Sequence, residues 1–320
     1  MRKVLVLTIA SLVAVGQVAM AAPKLDPKLK SYKKTSGVSG QLSSIGSDTL
    51  NNLMTYWTEG FTKVYPVVGT EVEGKGSSTA PPALIQGTSQ LGPMSRKMKS
   101  KEEDKFIAKF GYRPTPIRTA IDCLAIYVNK DNPIEGLTIP QADAIFSSTR
   151  NKGYASDIAT WGQLGITGPL ARRPISTYGR NSASGTYGYF KKHVLGKGDY
   201  KSTVKEQPGS ASVVQGIEND LAGIGYSGIG YITSGVRAVP LAKSGSDFKD
   251  PSVENALNGS YPLARFLYVY VNKAPDKPFD KTTHEFIKYV LSKEGQKSVV
   301  KDGYIPVAAS AAEEDLAKLA

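Results

Sequence analysis

Segments with strand chemistry alternate with segments of helical period along nearly the whole chain, and glycine and serine gather where a strand gives way to a helix. That alternation is the tightest constraint on the fold. Strands and helices taken in turn pack as α/β layers with mainly parallel sheets flanked by helices. Residues 42–45 read as a strand, and Gly46-Ser47-Asp48-Thr49 as a turn with helix-capping chemistry. A helix is expected over 50–65, where Leu50, Leu53, Met54, Trp57, Phe61 and Val64 recur at the helical period. A strand at 67–72 and a Gly/Ser loop at 74–79 follow, and Pro81-Pro82 suits the first turn of another helix. Residues 101–110 read as an exposed helix and 117–128 as a long strand. Past Lys130 the pattern resumes: helices at 139–146, 185–195 and 211–221, strands at 174–178 and 266–271, and a final helix at 281–293. There is no internal repeat of fixed period.

The first residues read differently. Arg2 and Lys3 precede the apolar stretch 4–20, and Ala19-Met20-Ala21 supplies an A-x-A site, so residues 1–21 are expected to be a cleavable secretory signal peptide. Thr8, Ser11, Gly16 and Gln17 dilute the stretch too much for a membrane anchor. With no cysteine at the cut, no lipid anchor is expected. The product is then exported and not membrane-embedded, with an extracellular fraction left open. Residues 22–40 form a Lys-rich, aperiodic arm, expected to be loosely attached, whose Lys24, Lys28, Lys30, Lys33 and Lys34 read as a solvated face with no role in nucleic-acid binding.

Composition excludes several chemistries. A single cysteine cannot build an internal disulfide framework or a Cys-based zinc site, and Cys123, in the apolar run 121–128, reads as a buried, inert thiol. His193 and His284 lie far apart and outside any H-E-x-x-H pattern, so no metal and no cofactor are expected. The net charge of +12 hints at an anionic partner without identifying one. Gly223-Ile-Gly225-Tyr-Ser-Gly228 satisfies G-x-G-x-x-G, but it follows a helical segment and runs toward a strand. Its glycines therefore suit close backbone packing better than a dinucleotide. Trp57 and Trp161 read as packing anchors.

Three junctions share one composition: Gly46-Ser47-Asp48-Thr49-Leu50, Gly76-Ser77-Ser78-Thr79, and Arg180-Asn181-Ser182-Ala183-Ser184-Gly185-Thr186. Each places small hydroxyl residues at a helix start, where free N–H groups and the positive end of the helix dipole favour an oxyanion. Arg180 adds a planar guanidinium able to grip two oxygens. Taken singly, each Ser or Thr is a helix cap; the anion reading rests on the set.

Long segments carry a resemblance. GSDTLNNLMTYW (46–57), GSSTAPPALIQGTSQLGPMSRKM (76–98), LAIYVNKDNPIEGLT (124–138), YGRNSASGTYGYF (178–190), GIGYSGIGY (223–231), NALNGSYPLARFLYVYVNKAP (255–275) and SKEGQKSVVKDGYIPV (292–307) resemble the phosphate-binding proteins of bacterial high-affinity phosphate ABC transporters, in their gammaproteobacterial branch. The resemblance covers nearly all of the chain after the signal peptide. It implies a type II periplasmic binding protein with two crossing strands as hinge, lobe I at 41–126 plus 267–320 and lobe II at 127–266. It also implies a monomer that closes over inorganic phosphate and hands it to an inner-membrane ABC permease, with no catalysis. By the same resemblance Thr49, Leu50 (through its N–H), Ser77, Ser95, Arg180, Ser184, Gly185 and Thr186 line the phosphate site.

Two positions depart from the family. Many members carry Asp at the position of Ser95 and an acid at that of Ser182. The acceptor of the phosphate proton is then left among the Ser95 hydroxyl, Asp48 and Asp122, with Asp122 favoured for its place on the crossing strand. The departure keeps open another oxyanion, namely sulfate, molybdate, phosphite or a phosphonate. A secreted phosphate-ester hydrolase finds no G-x-S-x-G elbow and no His near any of these serines.

Overall fold

The computed structural model describes residues 23–320, so the expected signal peptide lies outside the described residues. Strand β1 (Gly40–Ile45) passes through a 3-10 turn (Asp48–Leu50) into helix α1 (Asn51–Val64) and returns as β2 (Val68–Glu73), parallel to β1. The helical spacing of Leu53, Met54, Trp57 and Phe61 puts all four on one fully buried face. A second 3-10 turn (Ser77–Thr79) opens α2 (Ala80–Gln86), whose first turn holds the two prolines and whose end is set by Gly87 in the left-handed region. Then come β3 (Gly92–Met94), α3 (Ser100–Phe110) and the 15-residue β4 (Thr115–Asn129).

The second half runs β5 (Leu137–Thr138), α4 (Ile139–Phe146), β6 (Ser176–Arg180), α5 (Gly185–His193), β7 (Lys205–Gln207), α6 (Ser210–Glu218), β8 (Gly223–Gly228), β9 (Val236–Ala238), β10 (Leu241–Ala242), α7 (Val253–Leu257) and β11 (Ala264–Val271). Three helices follow where one was expected: α8 (Lys281–Val290), α9 (Lys293–Lys301) and α10 (Ala309–Ala317). The break after α8 comes at Ser292, whose hydroxyl caps α9 by accepting from the Gly295 N–H. α10 is alanine-rich and lacks an apolar stripe, which is why its period does not show in the sequence.

The principal sheet has the order β3-β11-β4-β8-β6-β7, with β9 also on β4. β4 pairs antiparallel with β11 over 115–123 and then with β8 over 124–128, so one strand serves both lobes and changes partner partway along. β6 is parallel to both β7 and β8. The sheet is therefore mixed, not mainly parallel. A hinge made of two strands crossing in opposite directions forces antiparallel ladders at the centre; β3 continues them on one side, and the parallel pairs lie on the other, at β8-β6-β7. The glycines of 223–228 lie in β8 itself, not in a loop opening a helix. A Cβ on Gly225 would come 2.7 Å from the Tyr178 carbonyl, and one on Gly228 would come 2.9 Å from the Tyr304 hydroxyl. They serve close packing, as the sequence implied. Among the described residues no helix is long and apolar enough to cross a membrane.

The arm is not loose. Leu29 and Val38 are buried, the Tyr32 hydroxyl donates to Glu285 at 2.7 Å and pairs with the Tyr65 hydroxyl at 2.8 Å, and the Tyr32 N–H donates to Glu294 at 2.7 Å. Its lysines are exposed, but between them the apolar and aromatic side chains are seated on α1, α8 and α9, a spacing too irregular to read as a periodic element. Tyr32→Ala is expected to cost about 2–3 kcal/mol of stability in urea unfolding, from a half-buried ring and two hydrogen bonds. An arm without structural weight would leave the midpoint unmoved.

Candidate anion-binding site

The three hydroxyl-bearing junctions converge. Thr49, in the turn before α1, lies with its Oγ1 2.8 Å from Thr186 Oγ1 in the first turn of α5. Ser95, just after β3, has its Oγ 3.4 Å from Thr186 Oγ1 and 3.3 Å from Ser77 Oγ, and its N–H donates to Ser77 Oγ at 3.0 Å. All four residues are essentially inaccessible to solvent. The cluster thus joins four hydroxyls from both halves of the molecule. Each hydroxyl both donates and accepts, so a tetrahedral oxyanion can replace their mutual bonds.

Close approach needs glycine at two places. A Cβ on Gly185 would sit 2.2 Å from Ser77 Oγ and 2.6 Å from Ser95 Oγ. Gly76 adopts φ +109°, and a Cβ there would meet the Ala183 carbonyl at 2.6 Å, the same carbonyl that accepts from the Ser78 N–H at 3.1 Å.

Arg180, at the end of β6, is buried and reaches across to the first junction. Its Nη1 donates to Ser210 Oγ at 2.7 Å and lies 3.1 Å from Asp48 Oδ2, while Nη2 donates to the Pro208 carbonyl at 3.2 Å. Asp48 Oδ2 also accepts from the Ser210 N–H at 2.7 Å and its hydroxyl at 2.8 Å, so this carboxylate caps the start of α6. Arg180 Nε is buried without a hydrogen-bond partner among the described residues.

The other expected residues fall as follows. The Leu50 N–H donates to the Ser47 carbonyl at 3.2 Å within its own turn. Ser184 caps α5, accepting from the N–H groups of Thr186 and Tyr187 at 3.1 and 3.3 Å. Asp122 is fully buried, accepts from the Ile229 N–H through Oδ1 at 3.0 Å, and accepts from Arg265 Nε and Nη2 through Oδ2 at 3.0 and 2.8 Å. Both candidate acidic proton acceptors are therefore paired to an arginine, Asp48 to Arg180 and Asp122 to Arg265.

Sequence reasoning missed Arg265, Ser210, Tyr231 and Tyr304. Tyr231 OH donates to the Asp48 carbonyl at 2.8 Å and Tyr304 OH to the Thr49 carbonyl at 2.9 Å, fixing the first junction from two sides. Burial, with the Asp48 carboxylate next, pushes the Tyr231 phenol up, so it stays a donor. The signal for Arg265 was present: a lone cation in an apolar strand and a lone anion, Asp122, in another imply a partnership.

Asp302, just after α9, is another buried acid. Its Oδ2 has no hydrogen-bond partner among the described residues, and burial pushes its pKa up to about 7 against the opposing pull of Lys301. In the unfolded chain it ionises near 3.8. Between these values the folded protein holds a proton that the unfolded chain has released, so stability falls as pH rises through this window and levels off above it. Asp302→Asn is expected to remove that slope and to stabilise the protein by about 2 kcal/mol at alkaline pH, read by calorimetric melts across pH. A slope shared by both proteins would assign it to other groups.

Two lobes joined by crossing strands, with a buried cluster of hydroxyls between them, define a solute-binding protein. Residues 32–294 match the family described as PBP superfamily domain. The phosphate-binding protein PstS of Pseudomonas aeruginosa is 58% identical over 302 residues, 94% of either chain, and that of Staphylococcus saprophyticus 27% identical over 83% of this chain and 80% of its own. A substrate-binding protein from Clostridium perfringens, solved with bound phosphate, superposes with a TM-score of 0.70 at 26% identity, covering 83% of this chain and 99% of that one. The chain belongs to the PBP superfamily and, within it, to the PstS phosphate-binding proteins.

Proposed function

We propose that this protein is the periplasmic receptor of a phosphate ABC importer, capturing inorganic phosphate in its interlobe cleft and delivering it to an inner-membrane permease as a monomer and without catalysis. The observation that carries this reading is the convergence of Thr49, Ser77 and Thr186 from three helix starts with Ser95 from the end of β3, flanked by Arg180. Micromolar affinity needs about 8 kcal/mol, which charge-assisted bonds in a dry cleft supply. Thr49, Leu50, Ser77, Ser95, Arg180, Ser184, Gly185 and Thr186 are assigned to the site, with Ser184 acting through the cap that orients α5. We place lobe I at 41–126 plus 267–320 and lobe II at 127–266, a division supported on β4 by its exchange of β11 for β8 after Cys123. The Ser78 N–H donates to the Ala183 carbonyl and the Tyr231 hydroxyl to the Asp48 carbonyl, contacts that hold the two lobes together.

A second oxyanion such as sulfate is a specific alternative, because Ser95 is a hydroxyl that donates as readily as it accepts. The test is titration calorimetry of phosphate-stripped protein with phosphate and with sulfate from about pH 5 to about pH 8, beside an assay for phosphate-ester hydrolysis. Tight phosphate binding without turnover is expected. Sulfate binding with no response to phosphate would overturn the ligand assignment, and turnover would overturn the receptor assignment.

A further inference from the structure

Beyond the residues the family pattern assigns, the hinge itself contributes a charge to the site. Arg265 stands on β11, directly opposite Asp122 on β4 in the antiparallel register of the two crossing strands. Its Nε and Nη2 both donate to Asp122 Oδ2, and Nη2 also donates to Thr186 Oγ1 at 2.9 Å. Thr186 is the hydroxyl shared by Thr49 and Ser95. The guanidinium is thus one hydrogen bond from the centre of the cluster, on the Thr186 side, while Arg180 pairs with Asp48 next to Thr49. Arg265 is 7% exposed, and its Nη1 is buried with no hydrogen-bond partner among the described residues. A buried, charged N–H without an acceptor is costly, and a guanidinium held by a carboxylate on one side presents its remaining donors in a fixed plane.

We infer that Arg265 is a second anion-binding arginine, contacting the phosphate through its free Nη1 edge, and that Asp122 is the positioning residue that holds it, not the acceptor of the ligand's proton. This rests on the phosphate-receptor reading above. Its consequence is a preference for charge. With Ser95 where a carboxylate would refuse a fully ionised anion, and with a guanidinium on each side, the site favours the phosphate dianion over the monoanion.

The test uses the full mature chain, stripped of phosphate, as wild type, Arg265→Gln, Arg265→Lys and Asp122→Asn. Each is titrated calorimetrically with inorganic phosphate across the pH range in which phosphate passes from monoanion to dianion. Wild-type affinity is expected to rise with pH. Arg265→Gln is expected to lose roughly 100-fold or more where the dianion dominates and much less where the monoanion does, flattening the profile. Arg265→Lys restores the charge without the planar fork and recovers part of the loss. Asp122→Asn, which keeps Arg265 but loosens it, loses less than Arg265→Gln. Circular-dichroism melts show that each variant is folded.

Phosphate binding by Arg265→Gln within about threefold of wild type would overturn the inference. So would an affinity loss equal at every pH with the rise preserved, since that is the mark of a strand staple and not of a ligand contact. If wild type itself fails to bind phosphate, the receptor reading fails instead, which separates the two.

Discussion

Arg180→Ala should lower phosphate affinity by about a thousandfold, equivalent to roughly 4 kcal/mol. The side chain is buried, and it ties Asp48 at 3.1 Å and Ser210 at 2.7 Å, on opposite sides of the interlobe cleft. Truncating it removes a charge-assisted donor from the ligand and leaves Asp48 facing the incoming dianion with the Ser210 donors alone. The second effect adds repulsion to the loss of attraction. Arg180→Lys keeps the charge but cannot span two acceptors in one plane, so it should recover only a fraction of the loss. Calorimetric titration checks both, and wild-type affinity in the alanine variant would remove Arg180 from the site.

Gly185→Val should also impair binding strongly, without removing a donor. The missing side chain is what lets the first turn of α5 approach the hydroxyls of Ser77 and Ser95, since a Cβ there would already lie 2.2 and 2.6 Å from their oxygens. Both hydroxyls are members of the cluster, so rotating them away forfeits the bonds that the ligand needs. Valine at the first position of a helix is tolerated locally, so the open protein should fold and melt normally. Phosphate affinity should fall at least about 100-fold, and small-angle scattering should show no compaction when phosphate is added. Compaction equal to wild type would mean that the lobes close elsewhere than at this junction.

Both predictions bear on the same physical point. The net charge of +12 suggested an anionic partner, yet the site itself pairs Arg180 with Asp48 and Arg265 with Asp122. The lysines of the arm are solvated and take no part in this pairing. What suits the cluster to an oxyanion is a set of small neutral donors between two paired guanidiniums, held dry by the approach of two lobes.

Much of this was legible from residues alone. The period of Leu53, Met54, Trp57 and Phe61 revealed α1, and the Pro pair marked the start of α2. The Gly/Ser/Thr junctions revealed the anion chemistry, because caps and ligand donors are the same groups in the same place. The docking of the arm was not legible: Leu29, Tyr32 and Val38 follow no period, and what holds them is contact with α1, α8 and α9. Helix α9 lies beyond the final helix expected at 281–293, and its start turns on one capping serine, Ser292.

Sequence by itself therefore determined the fold class, the three hydroxyl junctions and Arg180, since local periodicity and helix-start chemistry are properties of short segments. Tertiary structure decided the rest: that the sheet is mixed, that Asp122 belongs to Arg265, and that Thr186 is the hydroxyl on which both lobes meet. Those facts depend on which strands lie side by side across more than 100 residues of chain, such as Asp122 opposite Arg265 at a separation of 143. A buried charge must find its partner, but only the register of the crossing strands says which partner it finds.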